Sequence, residues 1–154
     1  KKNGKKIKLD NITNKYILKE KYLLNNLFTY FEKLKLINSK NMKAIHKFIK
    51  VNNRNQKISA YGASVGSTTF LHYYKLNNLI DVIYDDEKLR HNLYSPGSNL
   101  KVLSPRMIEK KIPKYIIILA WRYSENIIKK NKEYLKKGGC FIIPLPNFKL
   151  IKYE

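Results

Sequence analysis

Residues Tyr115–Trp121, YIIILAW, narrow what this chain can fold into more than any other stretch. The run holds no polar residue from Ile116 to Ala120 and is rich in β-branched side chains. A strand of that composition is covered on both faces, as in a parallel sheet with helices above and below. Other apolar runs accompany it at Ile58–Ala63, Leu79–Tyr84 and Cys140–Leu145, with a short one at Lys101–Leu103. Helical spacing fills Ser67–Leu76 after the first run. It also fills Ser124–Lys136, where Ile127, Ile128 and Tyr134 share a face and Gly138-Gly139 end the segment. Strands separated by helices need crossover connections, and these give parallel pairing. The expected fold class is α/β: a Rossmann-like parallel sheet in a three-layer sandwich, preceded by an N-terminal helical segment.

The chain divides by pattern. Residues 1–13 are polar and basic without periodicity and read as a linker or frayed end. Residues 14–56 read as a helical segment packed on the main domain. Ile17, Leu24, Leu27, Phe28, Phe31 and Leu34 recur at helical spacing, and Asn38-Ser39 interrupt it. Met42, Ile45, Phe48 and Ile49 then mark a second helix or a bent continuation, and NNRNQK at 52–57 is a polar connector. Residues 57–154 form the sheet domain. The chain begins with Lys1 rather than Met, which predicts a fragment or processed product. No run of 18 apolar residues appears, so no transmembrane helix is expected. No apolar segment follows the lysine-rich start, so no signal peptide is expected and the cytoplasm is the default compartment. The one cysteine, Cys140, excludes an intrachain disulfide and a multi-cysteine zinc site, and its apolar neighbours place it in the core.

A net charge of +21 invites a nucleic-acid reading. Of the 32 basic residues, however, only Arg54, Arg90, Arg106 and Arg122 are arginine. Nucleic-acid readers favour the guanidinium fork, which pairs with guanine and phosphate. The lysines are scattered among Asn, Ile and Tyr, a mixture that fits compositional bias, and charge of this kind speaks to non-specific binding rather than to fold. The composition argues against a nucleic-acid partner.

Lys57–Tyr73, KISAYGASVGSTTFLHY, reads as a buried strand, a small-residue loop and the start of a helix. Gly62, Ala63, Ser64, Gly66 and Ser67 give the loop little bulk, and Ser67, Thr68 or Thr69 can cap the helix. Such a loop lets a ligand approach the backbone, and a helix N-terminus favours an anion there. The fingerprint is incomplete, since only Gly62 and Gly66 are glycine, and a purely structural turn is the alternative. Asp85 lies 23 residues beyond Gly62, where dinucleotide folds place a ribose-binding acid. The plainer reading pairs it with Lys88 or Arg90. Tyr94–Leu100, YSPGSNL, is a turn in which Pro96 fixes φ and Gly97 supplies a positive φ, as a type II turn requires. Arg90, His91 and Ser95 flank it. Trp121 and Arg122 follow the strongest strand, and ligands of open α/β sheets bind beyond strand carboxyl ends. Trp121 is therefore a cleft candidate and Arg122 an anion contact, against the commoner outcome of a core tryptophan. His46, His72 and His91 have no metal-ligand spacing, and no catalytic acid–base set stands out.

Taken in order, YGASVGSTTFLHYY, DVIYDDEKLRHNLYSPG, VLSP, PKYIIILAWRYSENII and GGCFIIPLP resemble the C-terminal domain of the sugar C-methyltransferases. The resemblance covers about residues 14–148. It implies an enzyme of three parts: a cysteine-rich zinc module, a middle domain that binds S-adenosylmethionine and carries the catalytic groups, and a C-terminal α/β domain that closes over a nucleotide-linked sugar. This chain matches the third part. The implied reaction removes a proton beside the sugar ketone, and the enolate attacks the donor methyl. The implied partners are the nucleotide sugar and the methyltransferase domain of the same enzyme. S-adenosylmethionine serves the intact enzyme and is not bound by this fragment, and no catalytic residue or metal is expected in it. The expected substrate-binding residues are Gly62, Ala63, Ser64, Gly66, Ser67, Thr68, Arg90, Ser95, Gly97 and Trp121. Gly66-Ser67 stands where many members carry Lys-Gly, and Arg90 where a Lys often precedes the Pro-Gly turn. A stand-alone nucleotide- or dinucleotide-binding domain and a basic nucleic-acid-binding protein are the alternatives. Tight binding of a free nucleotide cofactor by this chain would mark the first, and steeply salt-dependent affinity the second.

Overall fold

The computed structural model describes residues 10–52 and 57–153. Most of the expected linker at 1–13 and of the connector at 52–57 lies outside the described residues. Two compact units are present, divided between Asn38 and Ser39. The first holds α1 (Asn11–Asn25) and the beginning of α2 (Leu27–Asn52). Asp10 caps α1, its carboxylate accepting the Thr13 N–H at 2.6 Å. The helix breaks at Asn26, whose side-chain amide donates to the Tyr22 carbonyl at 2.9 Å, a local bond that competes with helix continuation. Asn38 and Ser39 were expected to interrupt the helix, but α2 runs through both. Each costs a helix only a few tenths of a kcal/mol, about what neighbouring turns outweigh.

In the second unit, a six-stranded sheet has the order β3-β2-β1-β4-β5-β6. The strands are β1 (Ile58–Tyr61), β2 (Ile80–Tyr84), β3 (Lys101–Leu103), β4 (Tyr115–Ile118), β5 (Cys140–Ile143) and β6 (Lys149–Ile151). The first five are parallel, with Ala60 opposite Ile83 on one side and Ile117 on the other. The expected α/β class therefore holds. β6 is an addition: it returns antiparallel along β5, pairing Ile142 with Leu150. Pro144 and Pro146 end β5, and only three residues then pair, too few for an alternation to show in sequence.

Side chains alternate across the sheet, so β4 serves two cores. Tyr115 and Ile117 face one cluster and Ile116 and Ile118 the other. The first cluster lies under α3 (Val65–Tyr73), through Phe70 and Leu71, and under the Ser39–Asn52 part of α2. There Ile45 and Ile49 form the buried stripe, and Asn41 is anchored through its amide to the Pro146 carbonyl at 2.9 Å. The second cluster lies under α4 (Arg106–Lys111), α5 (Ser124–Lys130) and α6 (Lys132–Lys136), through Ile108, Ile127, Tyr134 and Leu135. α4 was not foreseen, being less than two turns long. The helix expected at Ser124–Lys136 is split at Asn131, whose amide donates to the Ile127 carbonyl at 2.8 Å. Cys140 is buried as expected, a free thiol pushed up in pKa chiefly by burial.

Candidate functional site

The sheet reverses its build direction between β1 and β4, the place where open α/β sheets form a ligand crevice. The two strand ends lie against each other, with the Leu119 N–H donating to the Tyr61 carbonyl at 2.8 Å. Gly62 follows β1 at φ +102°, and a Cβ there would stand 2.6 Å from the Ala120 Cβ. Close approach and positive φ both require glycine. Gly66 differs. It lies in the first turn of α3, and a Cβ would meet nothing nearer than the Ser64 Oγ at 3.8 Å. Ser64 is the N-cap residue, its N–H donating to the Ser67 Oγ at 3.2 Å. The first N–H groups of a helix have no acceptor within it, and those of Val65 and Gly66 belong to this set.

Asp85 ends β2 and holds the loop in place. It is 6% exposed and accepts the N–H groups of Ala63 at 2.5 Å and Glu87 at 2.8 Å. Arg90 Nη1 reaches both its oxygens at 3.2 Å. Of the two readings of Asp85, pairing with Arg90 is the one observed, and Lys88 takes no part. The Arg90 side chain remains 45% exposed, with its fork engaged through Nη1 alone among the described residues. His91 donates through Nε2 to the Asp85 carbonyl at 2.8 Å, which fixes the turn rather than serving a ligand.

A cleft of about 490 Å³ opens at this edge. It is lined by Gly62, Ser64, Gly66 and Phe70 after β1, by Asp85 and Arg90 after β2, and by Trp121, Arg122 and Tyr123 after β4. The Arg122 guanidinium lies 5.1 Å from the centre of the Trp121 ring, a cation–π contact that holds a cation over the indole. A second groove of about 440 Å³ adjoins it, lined by Ala63, Val65, Thr68, Thr69, Leu93, Tyr94, Ser95 and Pro96. Ser64 and Arg90 belong to both. On the far side of Gly62 lies a smaller cavity bounded by Tyr61, Asp86 and Lys130, where burial and then the Asp86 carboxylate raise the Tyr61 phenol and keep it protonated.

The residues expected from sequence thus separate. Gly62, Ser64, Gly66, Arg90 and Trp121 come together in the cleft, while Ala63, Thr68 and Ser95 line the adjoining groove. Ser67 is buried in the first turn of α3 and lines neither. Gly97 lies outside both, at φ +72° with a Cβ position 2.8 Å from the His72 Nε2. Its turn carries bonds from the Ser98 N–H to the Pro96 carbonyl at 2.9 Å and from the Asn99 N–H to the Ser95 carbonyl at 3.0 Å. Gly97 takes the positive φ expected of it, and these bonds set a γ-turn inside a five-residue turn. The Ser95 hydroxyl is spent there, on the Ser98 Oγ at 2.5 Å and the Leu100 N–H at 3.1 Å. Phe70, Tyr123, Leu93 and Tyr94 were not among the expected site residues, because an aromatic or leucine at a loop or helix position carries no spacing that separates lining from core. Among the described residues no group of His, Cys, Asp and Glu side chains is arranged to hold a metal ion. No helix among them is long and apolar enough to cross a membrane.

A family described as the C-methyltransferase C-terminal domain matches residues 2–146. The chain is also similar to the C-methyltransferase NovU of Streptomyces niveus, at 33% identity over 98 residues. That match takes in 63% of this chain and 23% of the relative, so the chain spans under a quarter of that protein's length.

Proposed function

The chain belongs to the C-methyltransferase C-terminal domain family, and on that footing we propose that its cleft holds a nucleotide-linked sugar for a separate methyltransferase domain of the same enzyme. S-adenosylmethionine would supply the electrophilic methyl group in that other domain. This chain contributes binding and alignment, which can lower a barrier by several kcal/mol, roughly the gain from fixing reactants in an attack geometry. By itself it transfers no methyl group.

One observation carries the reading. Gly66 is a glycine that packing does not require, in a helix turn where glycine costs about 1 kcal/mol relative to alanine. What it provides is backbone without a side chain in the lining of the cleft, which Arg90 also lines. A phosphate suits that position: helix N–H groups on one side, a cation on the other. The Arg122 guanidinium, backed by the Trp121 ring at 5.1 Å, supplies a further cation. The cleft does not suit the adenosine of the methyl donor or of a dinucleotide. The acid that would take ribose hydroxyls, Asp85, is already engaged by Ala63, Glu87 and Arg90.

The test is a titration of thymidine diphosphate-glucose into the full-length enzyme, wild type and Gly66→Val, with thermal melts alongside. A Cβ at residue 66 meets nothing nearer than the Ser64 Oγ at 3.8 Å, so the melt is expected to stay close to wild type. Affinity falls by about tenfold or more, the worth of one lost charge-assisted contact. Unchanged affinity in a normally folded variant would mean that the loop is a structural turn only.

A further inference from the structure

We propose that the amino edge of the sheet, opposite the crevice, holds a second ligand site, one that takes inorganic phosphate. A cavity of about 350 Å³ opens there, and Lys57, Ser59, Asp81, Tyr84, Lys111 and Lys114 are among the residues that line it. Lys57 precedes β1 and Ser59 lies in it, Asp81 lies near the start of β2, and Lys114 leads into β4. These strands are parallel, so the residues where they begin gather on the edge away from Gly62 and Trp121.

The Tyr84 hydroxyl calls for a ligand. Tyr84 is fully buried, and its hydroxyl has no hydrogen-bond partner. Native folds rarely leave a buried polar atom in that state, because it loses hydration without gaining a bond in return. Ser59 and Asp81 are the side chains that act on this phenol, and both line the cavity. Ser59 does not satisfy it, since the Ser59 hydroxyl donates to the Asp81 Oδ1 at 3.0 Å. Burial pushes the Tyr84 phenol up in pKa, so at neutral pH it keeps a proton to donate.

The groups around the cavity select an oxyanion that carries a proton. Donors dominate: the phenol and the ammonium groups of Lys57, Lys111 and Lys114, three positive charges against the one carboxylate of Asp81. Lys114 donates to the Asn52 carbonyl at 3.3 Å and keeps further N–H groups to offer. Asp81 can only accept. Sulfate, which has no proton at neutral pH, meets repulsion at that carboxylate. Inorganic phosphate retains a proton and donates it to Asp81 while its other oxygens accept from Tyr84 and the lysines. Phosphate monoesters, with a second pKa of about 6, are mostly without that proton at neutral pH.

Calorimetry on the full-length enzyme at neutral pH tests the assignment, with inorganic phosphate, sulfate and methyl phosphate as probes and thymidine diphosphate-glucose present to fill the crevice. Phosphate binds, and Tyr84→Phe lowers its affinity by about tenfold, as expected for one hydrogen bond to a charged group. The Tyr84→Phe melt stays at or above wild type, because the lost hydroxyl had no partner in the protein. Lys111→Ala, at an exposed position, also weakens phosphate and flattens its salt dependence. Sulfate and methyl phosphate bind more weakly than phosphate by about tenfold, and Asp81→Asn abolishes the discrimination against sulfate. Phosphate affinity that neither Tyr84→Phe nor Lys111→Ala alters overturns the inference, and so does sulfate that binds the wild type as tightly as phosphate. A wild-type enzyme that binds no phosphate overturns it as well, and leaves the nucleotide-sugar reading of the crevice untouched.

Discussion

Gly62 and Gly66 occupy one loop under opposite constraints. At Gly62, positive φ and the 2.6 Å approach to Ala120 leave no room for a side chain. Gly62→Ala should destabilise by about 2 kcal/mol or more, through strain and overpacking together. Gly66→Ala should leave stability unchanged or raise it by up to about 1 kcal/mol, the helix preference of alanine over glycine. Urea unfolding of the two variants separates them, and equal effects would contradict the distinction drawn here. The central part of the site was legible because residues after parallel strands gather at one edge: Gly62, Ser64 and Gly66 follow β1, and Trp121 lies just beyond β4. A cation pairing with Asp85 was legible, although Lys88 and Arg90 stood there as equals. Ser95 and Gly97 were expected from the Pro96-Gly97 turn and from the family resemblance, and neither tells a hydroxyl that meets a ligand from one that closes a turn. Only the Ser98 and Leu100 bonds make that distinction.

At the scale of elements, local bonds decide where helices start and stop. The cap on α1 depends on an ionised Asp10, whose carboxyl is held below its usual value chiefly by the Thr13 N–H. The folded value is the lower one, so the cap's contribution is complete above the unfolded value of 3.8 and is lost as pH falls through the folded one. Amide exchange at Thr13 should stay slow relative to an Asp10→Ala variant at neutral pH and converge with it only as pH falls well below 3.8. A difference that persists in acid would assign the cap to another group. The strand–helix alternation was readable because each long element repeats its period several times. α4, β6 and the splits at Asn26 and Asn131 were not, because each rests on one turn or one side-chain bond. The start of β5 shows how narrow such a device can be. The Tyr134 hydroxyl donates to the Cys140 carbonyl and accepts the Cys140 N–H, both at 3.0 Å. Tyr134→Phe should cost about 1–3 kcal/mol, the penalty for leaving buried backbone groups unpaired, and an unaffected urea midpoint would show that other bonds replace it.

For the whole molecule, the account makes the sheet domain a holder of substrate rather than a site of chemistry. Its crevice has cations, open backbone and aromatic surface, and its one buried carboxylate is committed to structure. The charge of +21 adds a general pull on anions, which salt should weaken while leaving recognition of base and sugar in place. The most direct test is amide hydrogen exchange on the full-length enzyme with and without thymidine diphosphate-glucose. The account predicts ligand protection of the segments around 62–68 and 119–124, with none there when S-adenosylmethionine is added alone. Protection of those segments by S-adenosylmethionine, or by neither compound while the nucleotide sugar protects other parts of the enzyme, would contradict it.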